Sequence, residues 1–363
     1  MSFLGYRRAD GTVGVRNHVG IISTVTCAND VAKWISDRVP GTVSFVHQQG
    51  CGNAGPDMAH VHRTLGGLGA NPNLGAVLLV SLGCEGPVDD IQQAIARTGK
   101  PVERVVIQEI GGASKAFEEG ARIARKMLSA ISELQREEVD DSNLLIGIKC
   151  GASDTTQGIA ANPAVGAMCD LVVQAGGTCI FGETPEMLGT EHILYRRAAT
   201  ETVGQRIYDI VADVEKRAAV LGVDIRGANP SRGNIAGGLT TIEEKSLGAI
   251  VKGGTTTIQG VLVHGERPPG KGLFLLDGPG QEPKAVTALA AAGAQIIVFA
   301  TGLGAPQGFP FVPVVKVTAN PRTAEHLSEH IDILIDIFGD ASLETLGAQL
   351  YQEALRVASG RQT

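Results

Sequence analysis

Three cysteines of this chain stand in the same kind of place. Cys51 lies in His47-Gln48-Gln49-Gly50-Cys51-Gly52, Cys84 in Gly83-Cys84-Glu85-Gly86, and Cys150 in Lys149-Cys150-Gly151-Ala152-Ser153-Asp154. Each follows an apolar run that reads as a strand, and each has glycine beside it. In open α/β sheets, ligands bind beyond the carboxyl ends of the strands. Imidazole and thiolate are both good ligands for iron or zinc. One context met three times points to a shared site. Cys27 also follows a strand and is an intermediate case, whereas Cys169 and Cys179 lie inside apolar stretches and read as core.

Two polar clusters add acid, base and anion-binding groups. Glu183, Glu186, Glu191 and His192 fall within ten residues, and Glu183 and Glu186 could meet on one side of a helical first turn. Farther on, Asn229-Pro230-Ser231-Arg232-Gly233-Asn234 leads through Gly237-Gly238 into Thr240-Thr241-Ile242-Glu243-Glu244-Lys245. Thr240 or Thr241 caps a helix there, with Glu243 or Glu244 completing a capping box. The surrounding Asn, Ser, Arg, Lys and Gly residues exceed what a cap needs. Glycine loops that run into a helix N-terminus suit an oxyanion or carboxylate. The chain has no Walker A loop and no G-x-G-x-x-G after its first strand, which counts against nucleotide binding.

The elements that must hold these residues alternate. Strands are expected at His18–Val25, Thr42–His47, Gly75–Leu82 and Arg104–Gln108, and helices at Asn29–Arg38, Asp57–Gly69, Val88–Thr98 and Gly112–Leu134. That alternation predicts a parallel Rossmann-like sheet covered on both faces. The polar run Gln135–Asp141 reads as a linker, so the chain divides into a Rossmann-like α/β domain at 1–138 and a second, catalytic α/β domain at 139–363. In the second part, strands are expected at Leu144–Ile148, Leu171–Val173, Thr256–Val263, Gln295–Phe299 and Val314–Thr318. Helices are expected at Ala198–Leu221 and Leu343–Ala358, with glycine-rich loops at Gly227–Gly238 and Gly265–Gly272.

Composition narrows the class. With 363 residues the chain can bury a hydrophobic core without disulfide or metal staples. Its 48 glycines are about twice the usual share and imply many tight turns. The net charge of −7 and the 4% aromatic content argue against nucleic acid as a partner. The apolar runs are too short to span a bilayer. The N-terminus lacks the apolar segment of a signal peptide, so the six cysteines are expected to be thiols or ligands in a reducing cytoplasm.

Taken together the motifs resemble one family, the altronate/galactarate dehydratases, in their large-subunit or C-terminal region. The matching blocks are GYRRADGTVGVRN at 5–17, HQQGCG at 47–52, LGCEG at 82–86, KCGASD at 149–154, ANPAVG at 161–166, GETPEMLGTE at 182–191, NPSRGNIAGGLTTIEEKSLG at 229–248 and FATGLGAPQG at 299–308. The resemblance implies an iron-dependent hydro-lyase that converts a sugar acid or related 2-hydroxy acid to a 2-keto-3-deoxy acid. A close relative of this group, the sulfolactate sulfo-lyase large subunit, eliminates sulfite instead. An inactive structural or regulatory paralogue is the remaining alternative, and the retained polar site residues speak against it.

Under this resemblance Cys51, Cys84 and Cys150 bind the metal, as one Fe²⁺ or as an iron–sulfur cluster. His47 is a fourth ligand or the base, and Lys149 is the other base candidate. Glu85, Asp154 and Lys245 complete the catalytic set. Ser153, Glu183, Glu186, Asn229, Asn234, Thr240, Thr241, Glu243 and Glu244 contact the substrate or support those that do. Full-length members begin with a small SAF-type domain. This chain starts at the GYRRADG block, which implies a separate small SAF-domain subunit and a homo- or hetero-oligomer. Two departures stand out. Ala152 replaces a glycine of the family's usual KCGGSD, and Leu303 replaces the arginine of its TTGRG.

Overall fold

The structure, a computed structural model, describes all 363 residues. Its strands are β1 (Ser2–Arg7), β2 (Val13–Gly14), β3 (His18–Ser23), β4 (Thr42–Phe45), β5 (Leu74–Ser81), β6 (Val102–Val106), β7 (Glu137–Asp140), β8 (Leu145–Gly151), β9 (Thr178–Gly182), β10 (Ile258–Leu262), β11 (Gly272–Leu276), β12 (Ile296–Thr301), β13 (Val314–Thr318) and β14 (Ile333–Leu334). They form a four-stranded parallel sheet in the order β4-β3-β5-β6, a seven-stranded parallel sheet in the order β10-β11-β9-β8-β12-β13-β14, and a small antiparallel sheet β2-β1-β7. This is the expected α/β architecture. The sequence reason is clear in β5, whose eight residues are all buried. Parallel strands covered by helices on both faces need such continuous apolar runs. The helix Ala113–Ser132 covers one face with Ala116, Ala121, Ile123, Ala124, Met127 and Ile131 buried, at helical spacing.

Some elements depart from expectation. Leu171–Val173 is not a strand but the end of the helix Asn162–Gln174, which has Pro163 in its first turn and buries Val165, Met168, Cys169 and Val172. β9 and β11 were not anticipated, although both are buried throughout. The polar run at 135–141 does not stay a linker. Its residues 137–140 pair antiparallel with β1, burying Val139 against the larger core. The C-terminal helix Leu343–Ala358 packs on Asn162–Gln174. Arg16 and Arg136 donate to the carbonyls of Val357 and Ala358, each at 2.9 Å, and so tie the chain's end to its beginning. No helix is long and apolar enough to cross a membrane.

Strand order also tells where ligands belong. In the seven-stranded sheet the chain runs from β8 outward through β9, then returns to the other side of β8 as β12. The crevice between the loops after β8 and β12 is the switch point at which open sheets bind ligands. In the four-stranded sheet the corresponding point lies between the loops after β3 and β5.

Candidate active site

The end of β8 carries Lys149 and Cys150, and β9 hands on to Glu183, which takes a left-handed backbone (φ 77°) although it is not glycine. Such strain is held in place only by firm surroundings and gathers at functional sites. Here the surroundings are charges. Glu183 pairs with Lys149 Nζ at 2.5 Å and with Lys252 Nζ at 2.7 Å, and all three side chains are 1–2% exposed. Lys252 also donates to Cys150 Sγ at 3.1 Å, and the Cys150 amide donates to Glu183 at 3.0 Å. Lys149 reaches the Cys150 carbonyl as well and lies 5.1 Å from the centre of the Phe299 ring. Burial opposes ionisation of Glu183, yet the two ammonium groups outweigh it and hold its pKa below the usual range. Burial likewise opposes the charge on Lys252, and Cys150 and Glu183 overcome it, so its pKa is raised. Burial, helped by Glu183, pushes the Cys150 thiol up against the pull of both lysines. Two lysines and one carboxylate leave a buried excess of positive charge just behind the carboxyl end of β8.

In front of this cluster Lys245 draws several distant segments together. Its ammonium donates to Asn229 Oδ1 at 2.7 Å and Asn234 Oδ1 at 3.2 Å, and it pairs with Glu186 at 3.1 Å. Asn234 in turn donates to the Ser153 carbonyl at 2.9 Å. Ser153, Asp154, Asn162, Glu244 and Lys245 line a cavity of about 300 Å³. Lys245 and Glu186 keep 10% and 15% of their side-chain surface, so this pair can meet a ligand where the Lys149 cluster cannot.

Other members of the expected set are occupied structurally. Asp154 accepts from the Gln157 amide, Thr156 Oγ1 and Asn320 Nδ2 at 2.8–2.9 Å, so it pins the loop at the switch point. Thr241 caps the helix Ile242–Ile250 by accepting from the Glu244 amide, while Glu244 accepts from the Thr240 amide at 2.7 Å and from its hydroxyl. Glu243 is exposed and pairs with Arg226 at 2.9 Å. His47 sits beyond β4 with both ring nitrogens used. Nε2 faces the Ser23 carbonyl at 2.9 Å, and Nδ1 accepts from the Gln49 amide at 3.1 Å. That pattern fixes the neutral Nε2–H tautomer, and burial lowers its pKa further. Glu85 bridges the switch point of the smaller sheet, accepting from Thr24 Oγ1 at 2.8 Å and from the Leu82 and Gly83 amides at 3.1 and 2.6 Å. Burial would raise its pKa, but these bonds bring it below the ordinary carboxylate value.

Lys252 is the member that sequence reading missed. The only hint was a lysine set in the apolar run Ala249-Ile250-Val251 just before Gly253-Gly254.

Residues 5–132 match the D-galactarate dehydratase/altronate hydrolase second domain, and residues 141–363 match the D-galactarate/altronate dehydratase C-terminal domain. The chain belongs to the D-galactarate/altronate dehydratase family. It is 40% identical to the (2R)-sulfolactate sulfo-lyase subunit beta of Chromohalobacter salexigens, over 100% of this chain and 94% of that one. It is 36% identical to the altronate dehydratase of Bacillus subtilis, over 99% of this chain and 74% of that enzyme. To the galactarate dehydratase (L-threo-forming) of Escherichia coli it is 34% identical, over 99% and 73%. These relatives make the chain a lyase.

The iron expected of this dehydratase family does not find its expected ligands assembled. Cys51 and Cys84 are exposed on loops of the smaller domain, while Cys150 is buried in β8 with its sulfur against Lys252. No group of three or more His, Cys, Asp or Glu side chains is placed to hold a metal ion. The three cysteines share a local context but stand on two different sheets. Cys150→Ser should therefore leave the chain's iron content unchanged when protein and metal are quantified together. A loss of iron in that variant would return Cys150 to the ligand set.

Both departures from the family's pattern fall at the switch point. Ala152 has φ 48°, in the region that favours glycine. The Leu303 amide donates to the Ala152 carbonyl at 2.7 Å, and the Leu303 side chain is 42% exposed.

Proposed function

We propose that this lyase removes sulfite from a 2-hydroxy-3-sulfo acid of the sulfolactate type, and that it works with a second, small SAF-domain subunit. The observation that carries the chemistry is the Lys245–Glu186 pair, whose lysine lines the cavity of about 300 Å³ and is fixed by Asn229 and Asn234. The substrate assignment rests on the relatives. The chain aligns with nearly the whole of a sulfo-lyase subunit and with about three-quarters of the dehydratases.

The elimination needs a base for the proton on C2 and stabilisation of the charge that develops. Glu186 accepts the C2 proton, and the electrons of that C–H bond form the C2–C3 double bond. The electrons of the C3–S bond leave with sulfite, and the enol left behind becomes the 2-keto acid. Lys245 holds the substrate carboxylate beside Glu186 and can return a proton. The buried positive excess of Lys149 and Lys252 around Glu183 favours the enolate-like charge, because fixed charges in a dry site need no reorganisation. In this reading Lys149 acts from behind the site and Asp154 holds the loop. No step is routed through iron, since its expected ligands are not brought together.

Leu303 tests the substrate assignment. An arginine there would supply a cation for the far hydroxyls or second carboxylate of a six-carbon sugar acid. Leu303→Arg should shift the kcat/KM ratio toward altronate or galactarate, relative to sulfolactate, by at least about tenfold. Both substrate classes must be assayed on both proteins. An unchanged ratio, or a wild-type preference for the sugar acids, would remove the reading.

A further inference from the structure

The cavity that Lys245 lines has a polar wall which the acid–base chemistry above does not use. Between Asp154 and the helix Asn162–Gln174 the chain makes a π-helical turn, Gln157–Ala161. Such turns are rare and recur at functional sites. Gln157 from this turn and Asn162 just after it line the cavity, and Lys245 lines it from the helix Ile242–Ile250.

Gln157 and Asn162 are buried amides, 2% and 1% exposed. Each is oriented by giving its NH₂ group to the main chain. Asn162 Nδ2 donates to the Gly248 carbonyl at 2.7 Å, and Gln157 Nε2 donates to the carbonyls of Ala300 at 2.7 Å and Gly151 at 3.4 Å. A side-chain amide anchored by its donors has only its oxygen left to offer, and that oxygen only accepts. Asn162 Oδ1 has no partner in the protein. The Gln157 contacts likewise leave Oε1 free to accept.

A buried acceptor without a donor is costly and rare, and a ligand that brings the donor gains accordingly. Lys245 does not supply it, being engaged with Glu186, Asn229 and Asn234. Amide oxygens repel a carboxylate or a sulfonate, so this wall is no anion seat. It suits a hydroxyl group. The cavity therefore fits a molecule with an anionic end for Lys245 and an O–H donor close to that end.

We propose that Asn162, seconded by Gln157, reads the 2-hydroxyl of the substrate, which donates to Asn162 Oδ1 while the carboxylate lies at Lys245. This rests on the reading of the site as a lyase for 2-hydroxy acids. Carboxylate and hydroxyl are both carried by C2, and fixing the two gives the C2–H bond a set direction toward its base. As the C2–C3 double bond forms, the hydroxyl becomes that of an enol, a stronger donor, so the contact tightens toward the transition state. The 2-keto product has no hydrogen on that oxygen. Its carbonyl meets the amide oxygens as acceptor against acceptor, which favours release.

Malate and succinate test this without turnover. They are dianions of equal length that differ by the 2-hydroxyl, and neither carries a sulfite to lose. Measured calorimetrically on the full chain, malate should bind at least about tenfold more tightly than succinate. Asn162→Leu should bring that ratio below about threefold by weakening malate alone, with unchanged circular dichroism. A merely structural defect would weaken both dianions alike. Gln157→Met should lower the ratio in the same sense and carries the comparison if Asn162→Leu does not fold. Equal affinities in the wild type, no binding of malate, or a ratio unchanged in the folded variant would overturn the proposal. If malate is preferred as expected but sulfolactate yields no sulfite, the reading of the hydroxyl stands and the sulfite assignment fails.

Discussion

Replacing Glu183 by alanine should lower the chain's stability by about 3–5 kcal/mol, because it leaves Lys149 and Lys252 buried without their counter-charge. Denaturant unfolding of variant and wild type measures the difference, and a loss below about 1 kcal/mol would show that the cluster is not held together by this carboxylate. The pH dependence has a definite sign. Glu183 has a depressed folded pKa, so its stabilisation is complete above the unfolded value of about 4.3 and is lost as pH falls through the folded value. The wild type should thus lose stability in acid more steeply than Glu183→Ala.

The largest effect on turnover should come from Lys245→Met. Methionine keeps much of the volume but gives up the contacts to Glu186, Asn229 and Asn234. Loss of a positioned acid–base group costs about 10²–10⁴-fold in rate, and kcat should fall by that much while the circular dichroism is unchanged. A kcat within about tenfold of wild type would move the chemistry elsewhere. Lys149→Met provides the contrast. Its side chain is buried, so its removal should reduce stability as well as rate.

The α/β fold was legible because parallel strands are continuous apolar runs and their helices are amphipathic. The helix Asn29–Arg38, the strand Val314–Thr318 and the helix Leu343–Ala358 have the very limits read from sequence. β9 and β11 were hidden by glycine. Gly272-Leu273-Phe274-Leu275-Leu276 follows a glycine-rich loop, and Thr178–Gly182 follows Gly176-Gly177, so both runs were absorbed into their surroundings. Leu171–Val173 misled because a short apolar stretch has no periodicity of its own.

The site was legible in part. Lys149, Asp154, Glu183, Glu186, Asn229, Asn234 and Lys245 were named from sequence, and the structure brings them to one end of one sheet. What sequence could not give was how their hydrogen bonds are divided. Thr241 spends its bond on a helix amide and Asp154 divides its own among a backbone amide and the side chains of Thr156 and Asn320, while Lys245 bridges Glu186, Asn229 and Asn234. The repeated Cys-Gly context carried no distance information, so cysteines of two sheets looked like one set. Lys252 was invisible for a related reason. Its place beside Cys150 and Glu183 exists only once the turn Val251–Gly253, which follows the helix Ile242–Ile250, is packed against β8 and β9.

The most direct test is product analysis with (2R)-sulfolactate, using the chain together with the small subunit proposed for it. Sulfite and pyruvate should appear in equal amounts with the wild type and fall by about 10²–10⁴-fold in rate with Lys245→Met. Absence of sulfite from the wild type, or its release at an undiminished rate by Lys245→Met, would contradict a sulfite-releasing site built on Lys245 and Glu186.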